Sequence, residues 1–231
     1  MIEPGIAAAE YAVFLFSTVC HEAAHASTAL RLGDATAAKA GQVSLDPLPH
    51  LKREPIGMVV VPLIGLFTGG YVMGWASTPY DPAWAAAHPK RAAAMALAGP
   101  LANLSLALIA ASLMHVGMNL GLVHSADSAG GYHIVVPMAG QPSWVDAAAM
   151  LVSLLFSLNV LLFFFNLLPV GPLDGAAALG LIPGLGGLSR GLRSPRFRLI
   201  GLLVAWQLFP YVFEPVFTTC LNVVFPGSNY H

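Results

Sequence analysis

Five stretches of this chain, at about 6–30, 56–76, 92–117, 145–173 and 199–224, are apolar and nearly free of charge. A helix that crosses a bilayer needs about 20 such residues, and each run reaches that length. Long apolar runs of this kind leave an all-α integral membrane protein as the expected fold class. Composition points the same way: 57% of the 231 residues are hydrophobic and 9% are charged, against about 25% charged in soluble domains. The chain is read as one domain, 1–231, with no room for a large soluble module. Ten basic residues spread over several loops, with a net charge of −1, form no nucleic-acid footprint. Cys20 and Cys220 sit in apolar runs far apart, fitting small buried hydrophobes better than a disulfide or a thiolate metal site.

Loop charge tests the number of crossings, because Lys and Arg favour the cytoplasmic side. They occur at Arg31, Lys39, Lys52, Arg53, Lys90 and Arg91, then at Arg190, Arg193, Arg196 and Arg198; the loop 118–144 has none. If all five runs crossed, loops 31–55 and 175–198 would face opposite sides. If 56–76 enters and returns, all ten basic residues share one side. Pro62, Gly65, Gly69, Gly70 and Gly74 interrupt that run, and such breakers suit a re-entrant segment buried in protein. The expectation is therefore about four transmembrane helices plus one re-entrant segment, with both termini outside. Residues 40–50, AGQVSLDPLPH, alternate weakly and are read as a short strand or β-hairpin on the cytoplasmic side. Glu3 and the lack of a basic n-region argue against a cleaved signal peptide.

Inside the first run lies VCHEAAHAS, residues 19–27. His21 and His25 are spaced i, i+4, which places both imidazoles on one helix face. Two such nitrogens can bind one Zn²⁺ at about 2.0–2.1 Å. Glu22 points to the side, where it can take a proton from a zinc-activated water without ligating. Three ionisable groups in five residues of a membrane helix are costly unless they face a polar interior. That cost favours a metal or proton role over a merely structural one.

A catalytic zinc needs a third protein ligand and an open position. Asp174, His115 and Glu214 are the candidates within apolar runs. On the charge-derived topology the first helix and the 145–173 helix both run toward the basic side. Asp174 then lies near the depth of His25, which is five residues, or about 8 Å, from its helix end. His115 and Glu214 fall toward the other face.

The residues HEAAHA at 21–26, AGPLAN at 98–103 and NLLPVGPLDG at 166–175 occur in this order. Together they resemble the site-2 protease family of intramembrane zinc metalloproteases, in its small prokaryotic branch without a PDZ domain. The resemblance covers 21–175. It implies one Zn²⁺ per chain held by His21, His25 and Asp174, with Glu22 as catalytic base. It implies a substrate-binding or oxyanion role for Asn103 and Asn166. It further implies an active site toward the cytoplasmic side of a prokaryotic cytoplasmic membrane. The partner is then a transmembrane protein substrate, in contact with membrane lipid and open to a regulatory membrane protein. Oligomeric state does not follow from it. Gly171 stands where the family often has Pro, and Ala176 where it often has Gly; both flank Asp174. Two other readings use the same cluster: a membrane metal or ion transporter, and a non-proteolytic membrane partner protein.

Overall fold

The computed structural model describes residues 3–69, 72–228 and 230, with the side chains of 127–129 and 195–199 left aside. Gly70, one of the expected helix breakers, lies outside the described residues. The first helix, α1 (Pro4–Arg31), is followed by α2 (Thr36–Lys39) and α3 (Pro47–Arg53). A π-helical turn (Ile56–Val60) leads into α4 (Val61–Thr68), and α5 (Pro82–Ala87) precedes the long α6 (Pro89–Asn119). Strands β1 (Val123–Gly130) and β2 (His133–Pro137) form an antiparallel hairpin before α7 (Ser143–Asn166). Then come α8 (Asp174–Ala178), a 3₁₀ turn (Leu179–Leu181), α9 (Gly186–Leu192) and α10 (Pro195–Val224).

Among the described residues, three helices are long and apolar enough to cross a membrane: α6, α7 and the Ile200–Val224 part of α10. Helix α1 has 28 residues, but Ser17, Thr18, His21, Glu22 and His25 lower its hydropathy. These five are all buried, so its polar face is turned into the protein. Helix α6 shows the inverse of a soluble pattern. Its buried face is mostly small, with Ala93, Ala96, Gly99, Asn103, Ala107, Ala110 and Ala111 beside Met95, Pro100 and Met114, whereas Leu101, Leu108, Ile109, Leu113 and Val116 are exposed. Small residues let helix backbones approach closely when lipid gives large ones no reason to hide. Helices α1, α6 and α7 pack around this face, with α1 antiparallel to α6.

The run at 56–76 turns back on itself. Ile56–Thr68 has 13 residues, or about 20 Å of helix, short of a bilayer core of about 30 Å. Further along, the chain lies against its start: Trp75 N donates to Gly57 O at 3.1 Å, and Arg53 Nε donates to Ser77 O at 3.0 Å. Gly57 is required here because a Cβ would collide with the Trp75 carbonyl. Residues 53–57 and 75–77 are thus level, and the segment leaves from the end at which it entered. Arg193 Nη2 donates to Tyr80 Oη at 3.0 Å, so the basic loops 31–91 and 175–198 meet at one end of the molecule.

The strand expected at 40–50 does not form. Asp46 instead caps α3, accepting from Leu48 N at 2.9 Å with Pro47 at the first helical position. A side-chain acceptor followed by Pro is a helix start, and this local signal overrides the weak alternation. The hairpin that does form lies at 123–137, in the loop without basic residues. It rests on α7 through Ser153, whose Oγ accepts from Ile134 N (3.1 Å) and Val135 N (3.3 Å).

At the basic end, buried Asp34 closes the turn after α1. Its carboxylate accepts from Thr36 N (2.9 Å), Thr36 Oγ1 (2.6 Å) and Asp81 N (2.8 Å). Burial pushes its pKa up, but the hydrogen bonds from Thr36 and Asp81, with the nearby Lys39 charge, outweigh that and hold it below the ordinary value. The carboxylate's contribution is then complete above the unfolded value of about 3.9 and is lost as pH falls through the lower folded value. Amide protection at Thr36 and Asp81, measured against the rate of an open amide at the same pH, is expected to stay high at neutral pH and to give way to fast, unprotected exchange in acid below that range. Asp34→Ala is expected to show the fast exchange already at pH 7.

Candidate active site

Helix α1 carries His21, Glu22 and His25, all buried. Facing them, α6 contributes Gly99, whose missing side chain opens the space. A Cβ at Gly99 would fall on the Nε2 atoms of both His21 and His25. Those two nitrogens are 3.0 Å apart. Asp174 Oδ2 is 3.1 Å from His21 Nε2 and 3.3 Å from His25 Nε2. Helix α7 ends at Asn166, and the loop bearing Pro169 and Pro172 turns Asp174 inward at the start of α8.

That loop is clamped from both sides. Gly175 sits against the Leu167 and Leu168 carbonyls, where no Cβ fits. Ser189 Oγ on α9 donates to Ala176 O at 2.6 Å, and Ala176 is fully buried. A Cβ at Gly171 would stand 2.7 Å from Leu192 O. The two departures from the family pattern thus match a loop against which α9 is tightly packed.

Each histidine is held from behind. His25 Nδ1 lies 2.8 Å from Met95 O, and His21 Nδ1 lies 2.5 Å from Asn103 Oδ1. Both acceptors require a proton on Nδ1, which leaves the Nε2 lone pairs directed at the shared point with Asp174. Three such donors directed at one point repel one another unless a cation lies among them. A tetrahedral zinc with bonds of about 2.0–2.1 Å keeps its ligands about 3.3 Å apart, close to the spacing here. The residues present therefore fit a zinc ion. Glu22 is within 4.8 Å of both histidine nitrogens and is turned aside, its Oε2 2.6 Å from Thr78 Oγ1.

The sequence-derived residues divide as follows. His21, Glu22, His25 and Asp174 are brought together. Asn103 is adjacent, but fully buried and with both ends of its amide engaged: Oδ1 with His21, Nδ2 donating to Asn159 Oδ1 at 2.8 Å. It stands behind His21, on the side of the ring away from Asp174. Asn166 Nδ2 donates to Leu162 O at 2.9 Å along its own helix. His115 packs against Phe225 at a centroid distance of 5.5 Å, near the hairpin, and Glu214 is exposed on α10. Sequence reasoning missed Thr78, Ser17 and Asn159. An Asn in the middle of the most apolar helix was the available signal for Asn159, because amides are seldom left idle at that depth.

Comparison with known proteins supplies the family. The Peptidase family M50 profile matches residues 9–205. Over 162 residues the chain is 32% identical to "Putative zinc metalloprotease YwhC" of Bacillus subtilis, covering 70% of this chain and 63% of that protein. Over 166 residues it is 30% identical to "Putative zinc metalloprotease Rip2" of Mycobacterium tuberculosis, covering 72% of this chain and 54% of that protein. The match thus spans somewhat more than half the length of these relatives. No solved structure matches the chain significantly. With a profile match over most of its length and the histidine, glutamate and aspartate positions gathered at one point, the chain belongs to peptidase family M50, the site-2 protease family.

Proposed function

We propose that this protein is an intramembrane zinc endopeptidase that cleaves transmembrane segments of other membrane proteins. The convergence of His21 Nε2, His25 Nε2 and Asp174 Oδ2, with Glu22 beside them, carries the reading. When bound, zinc supplies a Lewis acid that polarises a carbonyl and brings the pKa of water toward about 7. His21, His25 and Asp174 would hold it. Glu22 takes the proton of the attacking water and returns it to the leaving amine. Thr78, on the extended segment after α4, keeps the Glu22 carboxylate fixed until a substrate enters.

A scissile amide inside a helix is shielded, so the substrate must unwind locally. Asn166 is assigned to the substrate main chain: it ends α7 beside the Asp174 loop and is only half-buried. Asn103 is assigned to orienting His21, since its amide has no free end.

We place α1 as a fourth crossing helix, its polar residues turned to the bundle interior, and 56–76 as a re-entrant element. The end that gathers the basic loops is assigned to the cytoplasm of a prokaryotic cell, with both termini opposite. Purified protein is expected to hold about one zinc per chain and to cleave a model transmembrane substrate in a chelator-sensitive manner. Metal flux in proteoliposomes without peptide products would overturn the reading in favour of transport.

A further inference from the structure

Asn159 lies on α7, touches none of the proposed ligands, and is fully buried, as are Asn103 and Ser17. The hydrogen bonds among these residues can be satisfied in one direction only. The Leu155 carbonyl oxygen can only accept, so the Asn159 group that meets it at 2.8 Å is the amide nitrogen. The same nitrogen donates to Ser17 Oγ at 2.9 Å. Asn159 Oδ1 therefore faces Asn103, which must present its own nitrogen, at 2.8 Å. Asn103 Oδ1 is left for His21, whose Nδ1 must carry a proton. A neutral imidazole has one proton, so Nε2 keeps its lone pair toward His25 and Asp174. With Ser17, Asn103 and Asn159 all sealed from solvent, no water can take over at either amide if one flips. His25 needs no such relay, because its Nδ1 partner is a backbone carbonyl that cannot reverse.

We infer that Asn159 is a positioning residue that acts through Asn103 to hold His21 in the proton arrangement and ring orientation that ligates the metal. This rests on the zinc reading above. Second-layer partners of metal-bound histidines fix the tautomer, and losing one typically costs 10–100-fold in metal affinity.

The test compares Asn159→Leu with Asn159→Asp. Leu keeps similar bulk and removes both polar ends. A buried Asp is expected to stay protonated, donating to Leu155 O and accepting from Asn103, so it preserves the direction of the chain. By chelator competition, N159L should bind zinc about 10–100-fold more weakly, while N159D stays close to wild type. In parallel, ¹⁵N-histidine spectra of the metal-free protein, assigned by loss of the signal in His21→Gln, report whether Nδ1 of His21 bears a proton. It should in wild type and in N159D, and only in part in N159L. Wild-type zinc affinity in folded N159L, or an unprotonated His21 Nδ1 in the wild-type protein, overturns the inference. The second measurement needs no variant to fold and no zinc to bind. A wild-type chain that binds no zinc sinks the metal reading separately.

Discussion

Glu22→Gln is expected to hold zinc as the wild-type protein does and to cleave a model transmembrane substrate about 10²–10⁴-fold more slowly, the usual worth of a general acid–base group. The side chain is isosteric, and its amide oxygen can still take the hydrogen bond from Thr78 Oγ1 that Glu22 Oε2 now accepts. Packing and zinc affinity are therefore preserved, and only proton transfer is removed. Glu22 lies between the two histidines in sequence, yet its carboxylate is held to one side of them by Thr78. A base in that place can serve the water and later the leaving amine without displacing a ligand. Cleavage by E22Q at the wild-type rate, with zinc bound, would show that another group moves the proton.

Gly99→Ala is expected to reduce zinc affinity by at least about 10–100-fold, the range seen when support for a ligand is lost. Two effects oppose each other. On helix propensity alone Ala is better than Gly by about 0.8–1.0 kcal/mol, so the substitution would stabilise α6. The added methyl, however, would fall on both Nε2 atoms at the point where the ligands converge. Making room would require either rotating both imidazoles off their Met95 and Asn103 partners or pushing α1 away from α6. Breaking a buried hydrogen bond alone costs about 1–3 kcal/mol, and two are at stake, so the propensity gain loses. Chelator competition on detergent-solubilised protein measures the result. A G99A protein with wild-type zinc affinity would mean that the metal lies elsewhere.

Much of this arrangement was legible before any coordinates. Apolar run length placed α6 and α10 within a few residues, because the bilayer requires a minimum helix length and leaves little freedom in meeting it; the run 145–173 outlasts α7, which stops at Asn166 ahead of Pro169. Loop charge brought the loops 31–91 and 175–198 to one end, and with them Asp174 to the depth of His25. The i, i+4 spacing of His21 and His25 put both rings on one face, which is helix geometry and needs no partner. The expectation for 40–50 failed for a local reason: Asp46 and Pro47 specify a helix start more strongly than weak alternation specifies a strand. The hairpin at 123–137 went unread because β1 carries Ser125, Asp127 and Ser128 with no run of β-branched residues, which left the short Ile134–Val136 run of β2 without a legible partner.

Residue chemistry and spacing by themselves named His21, Glu22 and His25, ionisable groups in an apolar setting that demand a reason; Asp174 was one of three such candidates until loop charge and the family motifs favoured it over His115 and Glu214. They could not show which acceptor stands behind each imidazole, nor that Gly99 supplies the open space between the ligands. Nor could they show that the Asn103 amide meets His21 at one end and Asn159 at the other. Those facts depend on α1, α6 and α7 meeting at one register, with contacts between residues 56 to 142 positions apart. Chain-local pattern carries no record of such distances. Only the packed helices decide which lone pair faces which proton.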